Sequence, residues 1–161
     1  MMVRDALPGE LEAIGELRVA AYQADRLLDR NPGYAVSLRA LGTGGHGEVL
    51  VAVDDDRLLG TIMLDLWHAG SEVARGPEEA EIRGLAVAPE ARGRGVGGAL
   101  VRAVVDRARR RGARSLLLST QPAMTSARRV YVAEGFTRRP ELDWDPLPGF
   151  RLLAYGRDLT S

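Results

Sequence analysis

A chain of 161 residues with 22 basic and 22 acidic side chains carries no net charge, which argues against a nucleic-acid binder or an acidic-tail protein. That length suits a single domain, residues 1–161, with a proper hydrophobic core. The absence of cysteine excludes a disulfide framework, a thiolate metal site and a cysteine nucleophile.

All the basic residues are arginine and they are spread through every segment, so they are a compositional bias and not a patch. The N-terminus lacks an apolar signal core and no stretch approaches membrane-spanning length, so a cytoplasmic protein is expected. The chain opens with a short strand predicted at Met2 to Arg4. Pro8 then suits an early helical position, and Leu11, Ile14, Leu17, Val19 and Ala21 recur at roughly helical spacing toward Arg26. Asn31-Pro32-Gly33 breaks the chain, and Tyr34 to Leu41 reads as a second short helix before the flexible stretch Gly42-Thr43-Gly44-Gly45-His46-Gly47.

A valine-rich strand, Glu48 to Asp54, and a partner, Arg57 to Trp67, are joined by Asp54-Asp55-Asp56. Consecutive acids at a hairpin tip point in different directions, so they are a turn and not a metal site; no metal is expected. The next strand runs from Glu81 with Ile82, Leu85 and Val87 as its apolar positions, and Pro89 ends its pairing. Strand alternation puts Glu81, Arg83 and Leu85 on one face if no bulge intervenes, and Gly84 would tolerate one.

Beyond Pro89 the glycines of Arg92-Gly93-Arg94-Gly95-Val96-Gly97-Gly98 lead directly into a helix-period pattern. A strand, an arginine-bearing glycine loop and a helix N-terminus make a grip for a diphosphate. The backbone can approach closely, the first helical N–H groups have no intrahelical partner, and Arg92 and Arg94 add charge. Gly93, Gly95 and Gly98 satisfy the dinucleotide spacing G-x-G-x-x-G. The context that fold requires is missing: a five-residue loop separates strand from glycine, and the next strand ends in Thr120-Gln121 where ribose would need an acid.

The helix from Gly97 to Arg111 stripes Leu100, Val101, Val104, Val105 and Ala108 along one face. Arg109-Arg110-Arg111 suits the negative end of its dipole before Gly112. Ser115 to Thr120 reads as a buried strand parallel to the previous one, and Thr125 to Glu134 as a helix capped by Thr125 or Ser126 and ended by Gly135. Asp143, Trp144 and Asp145 make an acidic, aromatic turn before a last strand, Phe150 to Tyr155.

Together these motifs resemble the GNAT acetyltransferase superfamily. Arg92 to Gly97 is similar to its acetyl-CoA motif Q/R-x-x-G-x-G/A, and Leu85 to Glu90 to its central strand and exit. Ala127 to Phe136 is similar to its A-x-x-x-Y-x-x-x-G-F segment, and Val49 to Asp65 to its paired strands. The resemblance implies a mixed α/β (α+β) fold: a mostly antiparallel sheet with one splayed parallel pair, flanked by about four helices. It implies an acetyl-CoA-dependent N-acetyltransferase, releasing CoA, in which an amine attacks directly in a ternary complex. A catalytically silent acyl-CoA-binding or sensor module of the same fold is the alternative.

On the same resemblance Leu85, Ala86 and Val87 bind the thioester and pantetheine, and Arg92, Gly93, Arg94, Gly95, Val96, Gly97 and Gly98 hold the diphosphate. Glu81 stands where family members carry a general base or water-positioning glutamate, its alternative being a salt-bridged strand end. Tyr131, a phenol of pKa about 10, stands where a tyrosine protonates the departing thiolate. His68, Tyr22 and Trp144 are candidate acceptor contacts, each equally readable as loop or packing residues. Many family members carry an asparagine seven residues before this tyrosine; this chain has Met124, and Ser126 or Thr125 is the expected substitute. The partner is a small-molecule, peptide or protein amine, with neither nucleic acid nor membrane, and the protein is a monomer or homodimer.

Overall fold

Valine-rich alternation, acidic turn chemistry and two apolar helical stripes build the first part of the chain. In the computed structural model, which describes residues 1–160, strand β1 (Met2–Asp5) pairs antiparallel with β2 (Glu48–Asp54), Met2 opposite Val53 and Asp5 opposite Leu50. The turn at Asp55 and Asp56 leads into β3 (Arg57–Leu66). Asp55 takes φ 51°, a left-handed conformation that aspartate tolerates better than most residues. Helix α1 (Leu11–Ala24) follows a 3₁₀ turn at Pro8–Glu10, and Arg26, at φ 58°, stops it short of the expected end. Helix α2 (Tyr34–Ala40) lies so close to α1 that a Cβ on Gly15 would meet the Cα of Arg39 at 3.0 Å.

The second half begins with β4 (Glu79–Val87), two residues earlier than the sequence suggests, and continues through a 3₁₀ turn at Pro89–Ala91 into α3 (Val96–Arg110). The stripe Leu100, Val101, Val104, Val105 and Ala108 is buried, as its spacing predicts. Strand β5 (Ser115–Thr120) runs parallel to β4 in the register Glu79↔Ser115 to Glu81↔Leu117. Helix α4 (Thr125–Ala133) has Met124, not Thr125 or Ser126, at its N-cap. Gly135, at φ 90°, ends it, with the Phe136 N–H donating to the Tyr131 carbonyl at 3.0 Å. Strands β6 (Thr137–Arg138), β7 (Trp144–Leu147) and β8 (Phe150–Asp158) complete an eight-stranded mixed sheet. Its order is β1-β2-β3-β4-β5-β8-β6, with β7 on β8 off this path.

The chain forms two compact units, one of Met1–Met63 with Gly84–Leu100, the other of Leu64–Arg83 with the chain from Val101 onward. The first has its core in Ile14, Val49, Val51, Val53 and Met63, flanked by Ala6, Leu11, Leu41 and Leu58. In the second, Leu116, Leu117 and Leu118 are all buried, so β5 is covered on both faces, as its unbroken apolar run predicts. No helix among the described residues is long and apolar enough to cross a membrane.

Candidate functional site

The glycine loop lies in the first unit. Gly84 breaks the run of β4 with φ 65°, so the alternation that would align Glu81, Arg83 and Leu85 is interrupted between the last two. Leu85 and Val87 are half-buried and Ala86 is buried; the Ala88 N–H then donates to the Leu59 carbonyl at 2.8 Å and ties the strand exit down. Gly93 and Gly95 take φ 78° and 76°, a region costly for residues with a Cβ, and beyond their chain neighbours none of the described residues comes within 4 Å of where their Cβ would stand. The backbone is therefore open to close approach. The Gly95 carbonyl accepts the Ala99 N–H at 3.1 Å, so Gly95 opens α3, and Val96, Gly97 and Gly98 supply the N–H groups that a helix start leaves without intrahelical acceptors. With the positive end of a 15-residue helix behind them, these donors fit a diphosphate.

The two loop arginines are engaged by acids of the same unit. Arg92 pairs with both Asp25 oxygens, at 2.7 and 3.0 Å, and reaches the Ala21 carbonyl at 3.3 Å. Arg94 meets Asp54 at 2.6 Å, and this contact with the terminal amine holds the Asp54 carboxyl below its usual range. A phosphate binding at the loop competes with Asp25 and Asp54 for these guanidiniums. Tyr22 is buried on α1 with its ring 6.1 Å from that of Tyr34. Beside them lies Arg18, 1% exposed, which the sequence does not single out because it sits within an apolar helical run.

In the second unit the expected base is used differently. Glu81 is 1% exposed, and its carboxylate accepts the backbone N–H of Glu72 at 3.1 Å, of Ala74 at 3.0 Å, and of Val73. Three convergent donors fill most of the acceptor sites of this carboxylate, so Glu81 anchors the loop at 72–74. Three residues that the sequence does not connect then gather around this loop. Asp65, buried at the end of β3, meets His68 Nε2 at 3.0 Å and Arg83 Nη1 at 3.7 Å. Arg83 Nη2 lies 3.4 Å from Glu72, an exposed residue whose carboxyl is nonetheless pushed up by partial desolvation, offset in part by Arg83. The Gly70 N–H donates to His68 Nδ1 at 3.0 Å, which leaves the ring proton on Nε2, facing Asp65.

Tyr131 is buried, its ring 5.8 Å from Phe136, and burial pushes its phenol well above the ordinary tyrosine range. Ser126 is exposed on the first turn of α4, while the Met124 sulfur accepts from Thr120 Oγ1 at 3.3 Å and the Gln121 N–H at 3.4 Å. Trp144 donates from Nε1 to Ser119 Oγ at 3.0 Å. The neighbouring acids are drawn to arginines: Asp143 to Arg138 at 2.8 Å and Asp145 to Arg151 at 2.7 Å. Both acids of this turn are therefore paired within it and its neighbouring strands.

The sequence model of the acetyltransferase (GNAT) family matches residues 11–136. A mycothiol acetyltransferase from Geodermatophilus obscurus is 36% identical over 96 residues, 58% of this chain; the match spans 30% of that relative's length. A GNAT-family protein from Desulfovibrio desulfuricans has the same fold, with TM-score 0.77, 20% identity and 99% of each chain covered. So does yncA from Salmonella typhimurium, solved with acetyl-CoA, with TM-score 0.69, 21% identity, and coverage of 100% of this chain and 95% of that one.

Proposed function

Because this chain belongs to the acetyltransferase (GNAT) family, we propose that it moves an acetyl group from acetyl-CoA to a primary amine by direct attack in a ternary complex. The observation that carries this reading is the strand-to-helix passage of the first unit. Gly84 interrupts β4 at φ 65°, and two further glycines at φ 78° and 76° open the backbone ahead of the α3 N-terminus. The family match runs through segments of both units, which supports reading residues 1–161 as one acetyltransferase domain.

Acetyl-CoA, when bound, supplies the acetyl group as a thioester open to attack by nitrogen. The backbone of Leu85, Ala86 and Val87 orients the acyl end and the pantetheine arm. The N–H groups from Gly93 to Gly98 hold the diphosphate, with Arg92 and Arg94 once they leave Asp25 and Asp54. Ser126 takes the pantetheine contact that Met124 does not make. Holding the two reactants in register supplies most of the rate enhancement, and N–H groups freed by the interruption of β4 stabilise the developing oxyanion.

An amine of lysine type, pKa about 10.4, must lose a proton before attack. Glu81 acts through the loop it anchors, as a positioning residue. The Glu72 carboxylate, exposed on the loop that Glu81 anchors and raised above its usual range by desolvation, takes the proton. His68, held in one tautomer by Gly70 and Asp65, contacts the acceptor, and Tyr22 and Trp144 are further acceptor contacts. The Tyr131 phenol keeps its proton across the neutral range. It stabilises the departing sulfur as a hydrogen-bond donor, since a phenol raised above about 10 does not yield its proton readily to a thiolate of pKa about 8.5.

Calorimetric titration of acetyl-CoA into the wild type and into Gly95→Asp tests the reading. Micromolar binding by the wild type, lost in the variant, followed by CoA release with an amine, is the expected result. Binding without turnover on any amine would favour a silent acyl-CoA-binding module, and no binding by folded wild type would remove the proposal.

A further inference from the structure

Arg18 is a buried cation with no ion pair to an acid among the described residues. Its Nη1 donates to the carbonyls of Leu38 at 2.9 Å and Leu41 at 2.8 Å, which fixes one end of the guanidinium on the last turn of α2. Its Nε and Nη2 are shielded from water and have no hydrogen-bond partner among the described residues. These two N–H groups form the side-on fork whose spacing matches the two oxygens of a carboxylate. Burial draws the guanidinium down to about 10, with only the Tyr22 and Tyr34 phenols opposing the shift, so it stays charged at neutral pH with no acid to balance it. A buried, unmatched charge with orphaned donors is a costly arrangement that a protein of this size does not keep by default.

The fork lies against the interruption in β4. Arg18 Nε is 3.4 Å, and Leu41 Cδ2 2.5 Å, from where a Cβ on Gly84 would stand. Leu41 therefore fills the space beside Gly84 that the missing side chain leaves. It caps α2, is half-buried and is followed by Gly42 at φ 86°, so it is the side chain that must turn aside for a ligand to reach Gly84.

We infer that Arg18 is the carboxylate anchor of the acceptor, so that the acetylated amine belongs to a molecule of the α-amino-acid type whose two carboxylate oxygens take the Nε and Nη2 fork beside Gly84. The inference rests on the acetyl-transfer reading above and narrows its substrate class. In an α-amino acid the nitrogen stands about 2.5 Å from the carboxylate carbon, less than the 3.8 Å between successive Cα atoms. A carboxylate held at Gly84 thus delivers the amine next to Leu85, where the thioester carbonyl is proposed to sit. The shared chemistry has two sources: a free amino acid, or a peptide whose N-terminal residue carries a side-chain carboxylate.

The test compares wild type, Arg18→Met and Arg18→Lys, after calorimetry has established that each binds acetyl-CoA. CoA release is measured with the standard amino acids, with their carboxamides, and with aspartyl and glycyl dipeptide amides. Unfolding midpoints are recorded with the same compounds. The wild type is expected to favour the best amino acid over its carboxamide by roughly a hundredfold in kcat/KM, the scale of a lost charge-assisted bond. That amino acid raises its unfolding midpoint. Arg18→Met removes both effects, and Arg18→Lys, which keeps the charge but not the fork, retains part of each. Activity confined to the aspartyl amide assigns the fork to an N-terminal side chain and upholds the carboxylate anchor. Equal rates on acids and amides, a uniform loss across all acceptors in Arg18→Met, or silence across the whole panel overturns it. If Arg18→Met fails to fold, the wild-type ratio and Arg18→Lys still decide. Failure of wild type to bind acetyl-CoA removes the acetyl-transfer reading itself, whereas binding without a carboxylate preference removes only the Arg18 assignment.

Discussion

Glu81→Gln separates the two roles open to a buried strand carboxylate. The native side chain accepts three backbone N–H bonds from residues 72–74, all charge-assisted. Glutamine is nearly isosteric, but it offers one acceptor oxygen and one NH₂. If the oxygen keeps the Val73 and Ala74 N–H groups, each bond falls from charge-assisted to neutral, a loss of about 1 kcal/mol apiece. The NH₂ then faces the Glu72 N–H, donor against donor, at a cost of about 1–3 kcal/mol for the buried orphan. The sum, about 3–5 kcal/mol, is a large share of the ~5–15 kcal/mol that holds a domain together. Urea unfolding is expected to show a matching drop in stability, and hydrogen exchange to show the amides of 72–74 losing protection first. KM for the acceptor rises as the loop loosens. A stability change under about 1 kcal/mol, together with a collapsed kcat and a vanished acidic limb in the rate profile, would refute the anchoring argument and restore Glu81 as the base.

Three further outcomes follow from the same geometry. Glu72→Gln is expected to lower kcat/KM by about a hundredfold or more and to flatten its acidic limb. It leaves the fold as stable or slightly more so at neutral pH, because partial desolvation raises the native carboxyl and neutralisation removes the penalty of its charged form; a pH–rate profile beside a melt checks both. Asp25→Asn releases Arg92 from its bidentate partner and should tighten CoA binding in calorimetry by up to about fivefold, the range of an exposed ion pair. Glu10, held down to about 2 by Arg4 and the Leu7 N–H, contributes stability that is full above its ordinary value of 4.5 and is lost as pH falls toward 2. Glu10→Gln should therefore shallow the acid-unfolding limb in that window, with about 1 kcal/mol or less lost at pH 7.

Much of the fold was legible because it rests on local physics. The run Glu48 to Asp54 and the stripe from Leu100 to Ala108 declare their period and burial by themselves, and both are found where that period puts them. The glycine loop was equally legible. Gly93 and Gly95 mark positive φ by residue type alone, and the helix that follows supplies its donors whatever packs around it. Where local preference and packing compete, the boundaries moved: Arg26 in a left-handed conformation cut α1 short, and Met124 displaced Thr125 as the cap of α4.

The chemistry of individual side chains was another matter. Sequence determined the family, the sheet-and-helix order and the glycine passage into α3, all encoded in patterns a few residues long. It could place Glu81 on a strand, but not foresee that three N–H groups from a loop seven to nine residues earlier would converge on its carboxylate. Nor could it foresee that Arg18, in an apolar helical run, would be stripped of water with three of its five donors unused beside Gly84, a residue far along the chain. Desolvation and hydrogen-bond partnership depend on which distant segments fold together, so only the tertiary structure decided what these two charged groups can do.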